Sequence, residues 1–499
     1  MLAAASALGL CAMPSIAQAD PVVDQAVAQL DDLGLTTLTG MPSGRTTYRT
    51  FDEMTAEYGT LAAANPDQVV VKTAPYKSIE GRTIKYLEIT NHASAKGDGK
   101  PVFFNIGAIH GNETPAAEAS IEFAYDVLIN ARTNPKVKAL LDKVRFIDIP
   151  ITNADGHVRH RRAGCPCATT GGVDLNRNYP FGWGSNLGVT FAARGSGPGS
   201  EPEVKNTMEI VQRNQVVSLL TQHTNSRAIL YPGLEIFAGQ APDLDDGYRD
   251  LALAMAHATN DGYPNVRDSA HDYETSGETV DWSYYATRGI ATTLELVGSG
   301  AGCPQALPDY LNCTAADYTG TPGPQSTAAQ TARFQNHPVR NAIWLNLIYA
   351  TLAPAHSQIT GAAVPGATLK LTKDFNLYTA PIKQNTTPET TDPPMAIPTH
   401  LESSIVVGAT GRFKWDVNPS VRPVPAYEAD GVHAGPRGFY QESYTLTCTA
   451  VNGRVLGSIK VLVDKGDVAT VSPCRTGGAF ALATFGAFPP ANVPPRINW

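Results

Sequence analysis

The chain has 499 residues, of which 42% are hydrophobic and 17% are charged, so it can bury more than one core and is not disordered throughout. Its 38 basic and 46 acidic residues give a formal net charge of -8, and no block of basic residues is present. This balance argues against nucleic acid as a partner and favours small molecules or peptides.

The first 19 residues predict an export signal. They are apolar and small, and they end in the Ala-x-Ala pattern that signal peptidases cut. An N-terminal extension, 20–45, follows. No later run of 18 apolar residues occurs, so no membrane span is predicted. We expect a monomer that is secreted, in a periplasm or outside the cell.

The cysteines also suit an oxidising compartment, because six of the seven remain after the signal. One pair brackets a short loop and another lies in one β-rich region, which predicts two disulfides, Cys303–Cys313 and Cys448–Cys474. Cys165 and Cys167 are separated by one residue, and a bridge there would be strained. For this pair a mutual bridge, free thiols and metal binding all stay open.

From residue 46 to about 353, short apolar runs alternate with segments of helical period. The run "KPVFFNIGAI" predicts a strand, and "PAAEASIEFAYDVLINAR" predicts a helix with Pro115 in its first turn and Thr114 as its N-cap. Further strands are predicted at "VRFIDIPIT", "VVSLLTQ", "RAILYP" and "ATTLELVG", and further helices at "EPEVKNTMEIVQRN", "YRDLALAMAHATN" and "HPVRNAIWLNLIYATL". The alternation indicates an α/β domain with a largely buried sheet.

After residue 356 the sequence changes to short alternating strands separated by Pro, Gly and Asn. The strands are predicted at "TLKLTKDF", "SIVVGATGRFKWDV", "ESYTLTCTAV" and "SIKVLVDKG". This pattern of short strands is typical of a β-sandwich, so we predict two domains, 46–353 and 356–499. The Pro-rich stretch "PIKQNTTPETTDPPMAIPTH" is predicted to be a long surface loop.

Three side chains at the ends of predicted elements are candidate metal ligands. His110 and Glu113 share one strand-to-helix turn in "HGNE", and His223 follows another buried strand in "LLTQHTN". A catalytic zinc ion takes three protein ligands and keeps one open position. A single His-x-x-Glu is common by chance, but the third ligand at a strand end, where open α/β sheets bind ligands, favours a metal site.

Other polar residues are placed to bind substrate. Asn176 and Arg177 in "VDLNRNYP" form a candidate site for a carboxylate, because a guanidinium binds two oxygens at once. Tyr273 precedes a Ser-Gly turn that we interpret as a mobile lid. Glu295 interrupts the apolar strand "ATTLELVG", so it is expected to face a cleft unless it pairs with a structural arginine.

Taken together, these stretches resemble the zinc carboxypeptidase family. Over residues 46 to 352 the motifs follow the family order: "HGNE", "TNADG", "GVDLNRNYP", "QHTN" with "LYP", "YETSGETVDW" and "LEL". The resemblance implies an α/β fold, with a mixed eight-stranded sheet flanked by helices, before the all-β sandwich. It also implies one Zn²⁺ per chain and hydrolysis of the last peptide bond at peptide or protein C-termini.

The resemblance assigns roles to individual residues. Those matching the zinc ligands are His110, Glu113 and His223, the catalytic glutamate is Glu295, and those matching the carboxylate-binding residues are Asn176, Arg177 and Tyr273. The family also has an arginine that polarises the scissile carbonyl. By register we choose Arg161 for that role, with Arg162 second and Arg159 third.

The implied chemistry is hydrolysis by a zinc-activated water, whose pKa the metal lowers to about 7. Glu295 would act as general base, a role typically worth about 10²–10⁴-fold, and Arg161 would stabilise the oxyanion. Val280 matches the base of the pocket for the departing side chain, which favours apolar or aromatic residues. Glu278 and Asp268 are acidic residues near this segment that could instead admit Lys or Arg.

The family's pancreatic-type members carry a long activation segment, whereas only residues 20–45 precede the catalytic domain here, so we expect no zymogen. The layout resembles the regulatory-type branch, which carries a C-terminal β-sandwich. Two alternatives stay open. One is an amidase of the same superfamily that acts on cell-wall (peptidoglycan) peptides, and the other is a non-catalytic binding protein.

Overall fold

A computed structural model describes residues 20–95, 97–164, 172–233, 247–298, 300–304, 307–423, 439–474 and 484–487. The predicted export signal and the pair Cys165 and Cys167 therefore lie outside the described residues.

A mixed eight-stranded sheet forms the centre of the first part of the chain. Its strands are β1 (Val69–Thr73), β2 (Lys85–Ile89), β3 (Val102–Ile106), β4 (Arg145–Ile149), β5 (Val216–Thr224), β6 (Ala228–Tyr231), β7 (Asn265–Asp268) and β8 (Ile290–Leu296). Their order in the sheet is β1-β2-β4-β3-β5-β8-β6-β7. The central strands β4, β3, β5 and β8 run parallel, whereas β1–β2, β2–β4 and β6–β8 are antiparallel. This confirms the predicted fold class.

Helices flank the sheet. They are α1 (Pro21–Leu33), α2 (Phe51–Ala64), α3 (Thr114–Thr133), α4 (Pro135–Leu140), α5 (Ala154–Val158), α6 (Pro202–Arg213), α7 (Tyr248–Ala258), α8 (Ser269–Asp272), α9 (Thr279–Thr287), α10 (Ala316–Thr319), α11 (Ala328–Phe334) and α12 (Arg340–Ala350), with short turns at Leu175–Arg177, Tyr310–Ala315 and Ala353–Ala355. The predicted N-cap is wrong, because α3 already includes Thr114 and Glu113 occupies the cap position. Among the described residues, no helix has the length and apolar character needed to cross a membrane.

The main core lies between the sheet and its helices. Strands β3 and β4 are buried at every residue, as expected for parallel strands covered on both faces. Phe103 and Phe146 stack on neighbouring strands at 5.3 Å between ring centroids, and Phe123 of α3 lies 5.2 Å from Trp344 of α12. Helix α1 contributes Val23 and other apolar residues to the same core, so the N-terminal extension packs on the α/β part.

The C-terminal part is built from strands. They are β9 (Ser357–Ala362), β10 (Thr368–Tyr378), β11 (Ile382–Gln384), β12 (Thr390–Asp392), β13 (Ala396–Val406), β14 (Arg412–Val417), β15 (Arg422–Pro423), β16 (Phe439–Tyr440), β17 (Tyr444–Thr449), β18 (Val455–Val461), β19 (Asp467–Val471) and β20 (Thr484–Ala487). They form two four-stranded sheets, β13-β10-β17-β18 and β14-β9-β19-β20, and two small ribbons, β11-β12 and β15-β16. Leu371 and Leu446 of one sheet share a core with Trp415 of the other. Both predicted disulfides, Cys303–Cys313 and Cys448–Cys474, are present.

The predicted long surface loop is wrong for much of its length. Its first half forms the ribbon β11-β12, and its end starts β13, which pairs with β10 from Ala396 to Val406. β13 is an edge strand, and an edge strand can carry Pro398 with its nitrogen turned away from its partner. Composition alone therefore underestimated the regular structure of this stretch.

Candidate active site

The three predicted metal ligands converge at the carboxyl ends of the neighbouring strands β3 and β5. The donor atoms of His110, Glu113 and His223 all lie within 4.8 Å of one another, and we name these residues the donor cluster. Glu113 Oε1 is 2.9 Å from His110 Nδ1, and Glu113 Oε2 is 3.1 Å from His223 Nδ1. The two Nδ1 atoms are 3.1 Å apart. The fold thus joins a local pair to a histidine that is distant in sequence.

Close backbone contacts hold the turn that carries the local pair. A Cβ atom on Gly107 would lie 2.4 Å from Pro150 O, and one on Gly111 would lie 2.1 Å from the carbonyl carbon of Gly156. Only glycine allows such approaches. The turn from β3 into α3 is therefore pressed against the segment that follows β4, which fixes His110 above the sheet end.

The outer nitrogens of the two histidines have acceptors of their own. His110 Nε2 lies 3.0 Å from Asp174 Oδ1, and His223 Nε2 lies 3.1 Å from Thr221 Oγ1. In the neutral imidazole, an Nε2–H donated to Asp174 leaves the lone pair on the Nδ1 of His110, and the Thr221 hydroxyl can orient His223 likewise. Two nitrogen lone pairs and a carboxylate then face one point, where they repel one another unless a proton or a metal cation lies between them. Two imidazoles and one carboxylate form a known donor set of catalytic zinc, so these residues fit that metal.

The electrostatics of the donor cluster also favour positive charge. Burial by itself would lower the pKa of His110, but the negative charges of Glu113 and Asp174 outweigh it, and the pKa of His110 is raised. A cation is therefore favoured at this position.

Glu295 lies on β8 directly beside His223 of β5 in the parallel register. Burial raises the pKa of its carboxyl to about 7, while His223 opposes the rise and Glu113 adds to it. Within the described part of the chain, no hydrogen bond or ion pair engages this carboxylate. The geometry places a proton acceptor next to the donor cluster.

The arginine that reaches the donor cluster is Arg162, and not our first choice, Arg161. Arg162 Nη1 lies 3.2 Å from Glu113 Oε1. Arg161 is exposed, and no described contact joins its side chain to the cluster, while Arg159 forms a surface ion pair. His160 adopts a positive φ of 51°, which changes the direction of the backbone just before Arg161 and Arg162. A register argument cannot detect such a change of direction.

The residues predicted to bind a carboxylate lie together, and we name Asn176, Arg177 and Tyr273 the carboxylate receptor. Arg177 is 2% exposed, and its Nη2 lies 2.5 Å from Tyr273 Oη. Its Nη1 donates to Oε1 of Glu278 at 2.9 Å, so a carboxylate of the protein itself already binds one side of the guanidinium. Asn176 Oδ1 accepts hydrogen bonds from the backbone and hydroxyl of Thr279 at 3.0 and 2.9 Å, which leaves its amide nitrogen for a ligand.

Asp174 connects the receptor to the donor cluster. Its Oδ1 accepts from the backbone N–H of Asn176 at 3.0 Å and also lies 3.0 Å from His110 Nε2, while Oδ2 accepts from Arg162 Nε at 3.1 Å. Sequence reasoning missed this residue. An aspartate before a helical turn is an ordinary capping signal, and nothing in the sequence shows that the same carboxylate reaches His110.

Acidic residues flank Val280 in the segment next to the receptor. Val280 is 1% exposed in the core, Glu278 is 8% exposed, and Asp281 is fully buried. Burial raises the pKa of Asp281 well above its usual range, and the negative charges of Glu278 and Asp268 add to this rise. The role of Val280 in binding the departing side chain stays a prediction, and the acidic groups next to the receptor are Glu278 and Asp281.

A family model of zinc carboxypeptidases matches residues 54–316, more than half of the chain. The chain belongs to the zinc carboxypeptidase family. The match ends before the first strand of the sandwich.

Individual relatives agree with this assignment. The chain is 30% identical over 274 residues to carboxypeptidase A1 of Rattus norvegicus, covering 51% of this chain and 63% of the relative. It is 29% identical over 279 residues to zinc carboxypeptidase A 1 of Anopheles gambiae, covering 51% of this chain and 60% of the relative. The chain thus spans less than two thirds of these relatives. The crystal structure of carboxypeptidase A from Helicoverpa armigera has the same fold, with a TM-score of 0.50 at 23% identity, over 66% of this chain and 80% of that one.

Proposed function

We propose that this protein is a zinc-dependent carboxypeptidase that removes the last residue of peptides or proteins. The observation that carries the proposal is the position of Asp174, which bonds both to His110 and to the turn that bears Arg177. The spacing between the donor cluster and the carboxylate receptor is thereby set within the fold. A peptide whose terminal carboxylate binds Arg177 would present its last peptide bond near the donor cluster.

Zinc held by His110, Glu113 and His223 would polarise the substrate carbonyl and lower the pKa of a water molecule. Glu295 would accept the proton of the attacking water and deliver it to the leaving amine. Its pKa of about 7 suits a base that works near neutral pH. Arg162 would stabilise negative charge on the carbonyl oxygen, because its side chain is still 44% exposed beside the cluster.

The two disulfides support a location in an oxidising compartment, secreted or periplasmic.

The test compares peptides with a free terminal carboxylate with their amidated counterparts. Arg177→Ala should lower kcat/KM for the free acids by about 10² or more and barely change the amides, because only the free acid offers the charge that Arg177 binds. Arg213→Ala, which removes surface ion pairs to Glu209 of α6 and Glu402 of β13, is the control. Bound zinc, measured by metal analysis, should stay near one per chain in both variants. Equal losses on acids and amides would contradict the proposal, and a cell-wall stem peptide in the same set tests the amidase alternative.

A further inference from the structure

Residues 183–194, which we name the rim loop, follow Asn176 and Arg177 in the chain and contact the segments on both sides of the carboxylate receptor. On one side, Asn178, the residue after the receptor arginine, donates through Nδ2 to Arg194 O at 2.9 Å. The backbone of Arg194 also accepts from Trp183 Nε1 at 2.8 Å, which closes the loop on itself. The position of the receptor turn is thus coupled to the rim loop.

On the other side, the rim loop supports the segment 273–278, which we name the lid and which carries Tyr273. Ser276 Oγ donates to Leu187 O at 3.4 Å. Gly188 lies so close that a Cβ atom there would be 2.7 Å from Glu274 O. The rim loop therefore supports both the turn that carries Asn176 and Arg177 and the lid that carries Tyr273.

The rim loop is in turn held by the C-terminal sandwich, through the ribbon β11-β12. The backbone N–H of Lys383 donates to Gly184 O at 2.9 Å, and Arg194 Nη1 donates to Lys383 O at 2.9 Å. Ile382 packs directly on Gly184, where a Cβ atom would lie 2.9 Å from Ile382 Cγ1. Both backbone groups of Lys383 thus bond to the rim loop.

Arg194 is well suited to join these parts. It is only 9% exposed, and its guanidinium lies 4.6 Å from the ring centroid of Trp183 and 5.1 Å from that of Phe191. Besides Lys383 O, its Nη1 donates to Asn186 Oδ1 at 2.7 Å. Aromatic packing and several acceptors hold the guanidinium in one orientation.

We propose that the ribbon β11-β12 of the sandwich positions the carboxylate receptor by holding the rim loop against Asn178 and the lid. A receptor that binds two carboxylate oxygens needs its donors in fixed positions, and an irregular loop alone supplies little rigidity. The sandwich then has a role in substrate binding without touching the substrate. The expected change in KM rests on the proposed function, whereas the expected change in hydrogen exchange of the rim loop and the lid does not.

The test uses two substitutions at one position. Lys383→Pro removes the N–H that bonds to Gly184 O. It removes no hydrogen bond between β11 and β12, because this N–H faces the rim loop. Lys383→Ala keeps that N–H and removes the same side chain, with its exposed ion pair to Glu389, so it is the matched control. Arg194→Ala removes the other half of the contact, and Arg194→Lys is its conservative counterpart.

For Lys383→Pro and Arg194→Ala we expect KM for free-acid peptides to rise about tenfold, kcat to stay within about twofold, and amidated peptides to be unaffected. Amide hydrogen exchange should become faster in the rim loop and in the lid and stay unchanged in β3 and β5. Lys383→Ala should match the parent protein, and Arg194→Lys should lie between the parent and Arg194→Ala.

Equal exchange in the lid of Lys383→Pro and Lys383→Ala would overturn the inference. So would equal losses on free-acid and amidated peptides. If the parent protein cleaves no free-acid peptide, the proposed function fails, while the exchange comparison still decides whether the ribbon supports the receptor. If Arg194→Ala does not fold, the comparison at position 383 decides alone.

Discussion

The Arg162 guanidinium lies beside Glu113 and Asp174, and its side chain is still 44% exposed, so under the proposed function it would be free to stabilise the carbonyl oxygen of a bound peptide. Arg162→Ala should therefore lower kcat by about 10², since it removes a donor aimed at developing negative charge. Arg161→Ala is the matched control and should keep near-normal kcat, because its side chain points to solvent. Steady-state kinetics on one free-acid peptide would show the difference. If Arg161→Ala lowered kcat more than Arg162→Ala, the assignment of the oxyanion role to Arg161 from sequence register would be correct.

Glu278 binds one side of the Arg177 guanidinium, so under the proposed function a substrate carboxylate would have to take its place. The displaced Glu278 then needs a positive partner near the buried Asp281, and a terminal Lys or Arg side chain can supply one. We expect Glu278→Gln to lower kcat/KM for Lys-ending peptides about tenfold relative to Phe-ending ones, roughly 1.4 kcal/mol in the transition state. The measurement uses peptides that differ only in the last residue. If the ratio of kcat/KM for Lys-ending and Phe-ending peptides does not change, Val280 and not Glu278 would set the preference for the last residue.

At the scale of the sheet, β4 carries an acidic residue in its buried interior. Asp148 is fully buried, and its Oδ1 accepts hydrogen bonds from Ser120 Oγ at 2.6 Å and Asn105 Nδ2 at 2.9 Å. Burial outweighs these bonds and raises the pKa of its carboxyl to about 8. An aspartate in an unfolded chain titrates near 4, so the carboxyl contributes its full stability below about pH 4. That contribution is lost as the pH rises towards about 8.

Asp148→Asn removes this titration and keeps the acceptor for Ser120 and Asn105. The free energy of unfolding of the variant, relative to the parent, should therefore increase steadily between about pH 4 and pH 8. Urea unfolding at pH 5, 6, 7 and 8 measures it. A difference that is the same at each pH would show that Asp148 does not titrate in this range in the folded protein.

At the scale of the whole molecule, the α/β part and the sandwich share structure rather than being joined only by a linker. Strand β10 contributes Leu371 to the sandwich core and Leu377 to the main core. At the amino end of β5, Asn418 donates from its backbone N–H to Gln215 Oε1 and from Nδ2 to Val216 O, both at 2.8 Å. The sandwich therefore contacts the sheet at the strand starts and the rim loop beside the receptor. Its position supports the proposal that it stabilises the site from outside.

Local sequence patterns were sufficient to predict the classes of element and the residues that form the donor cluster. Hydrophobic periodicity predicted the central strands and helices, and the residue types at strand ends predicted the donor cluster, because both depend on local pattern and spacing. The two disulfides were predictable for a related reason, since each closes a short loop within one region.

The contacts between residues of distant segments could be read only from the folded chain. The choice of Arg162 over Arg161 depends on the backbone direction after His160, and the second role of Asp174 depends on where β3 ends relative to a remote turn. The pairing of Arg177 with Glu278 is likewise set by how α9 packs. Local propensity does not encode the direction in which a side chain leaves the backbone or the segment it then meets, because packing of the whole chain fixes both.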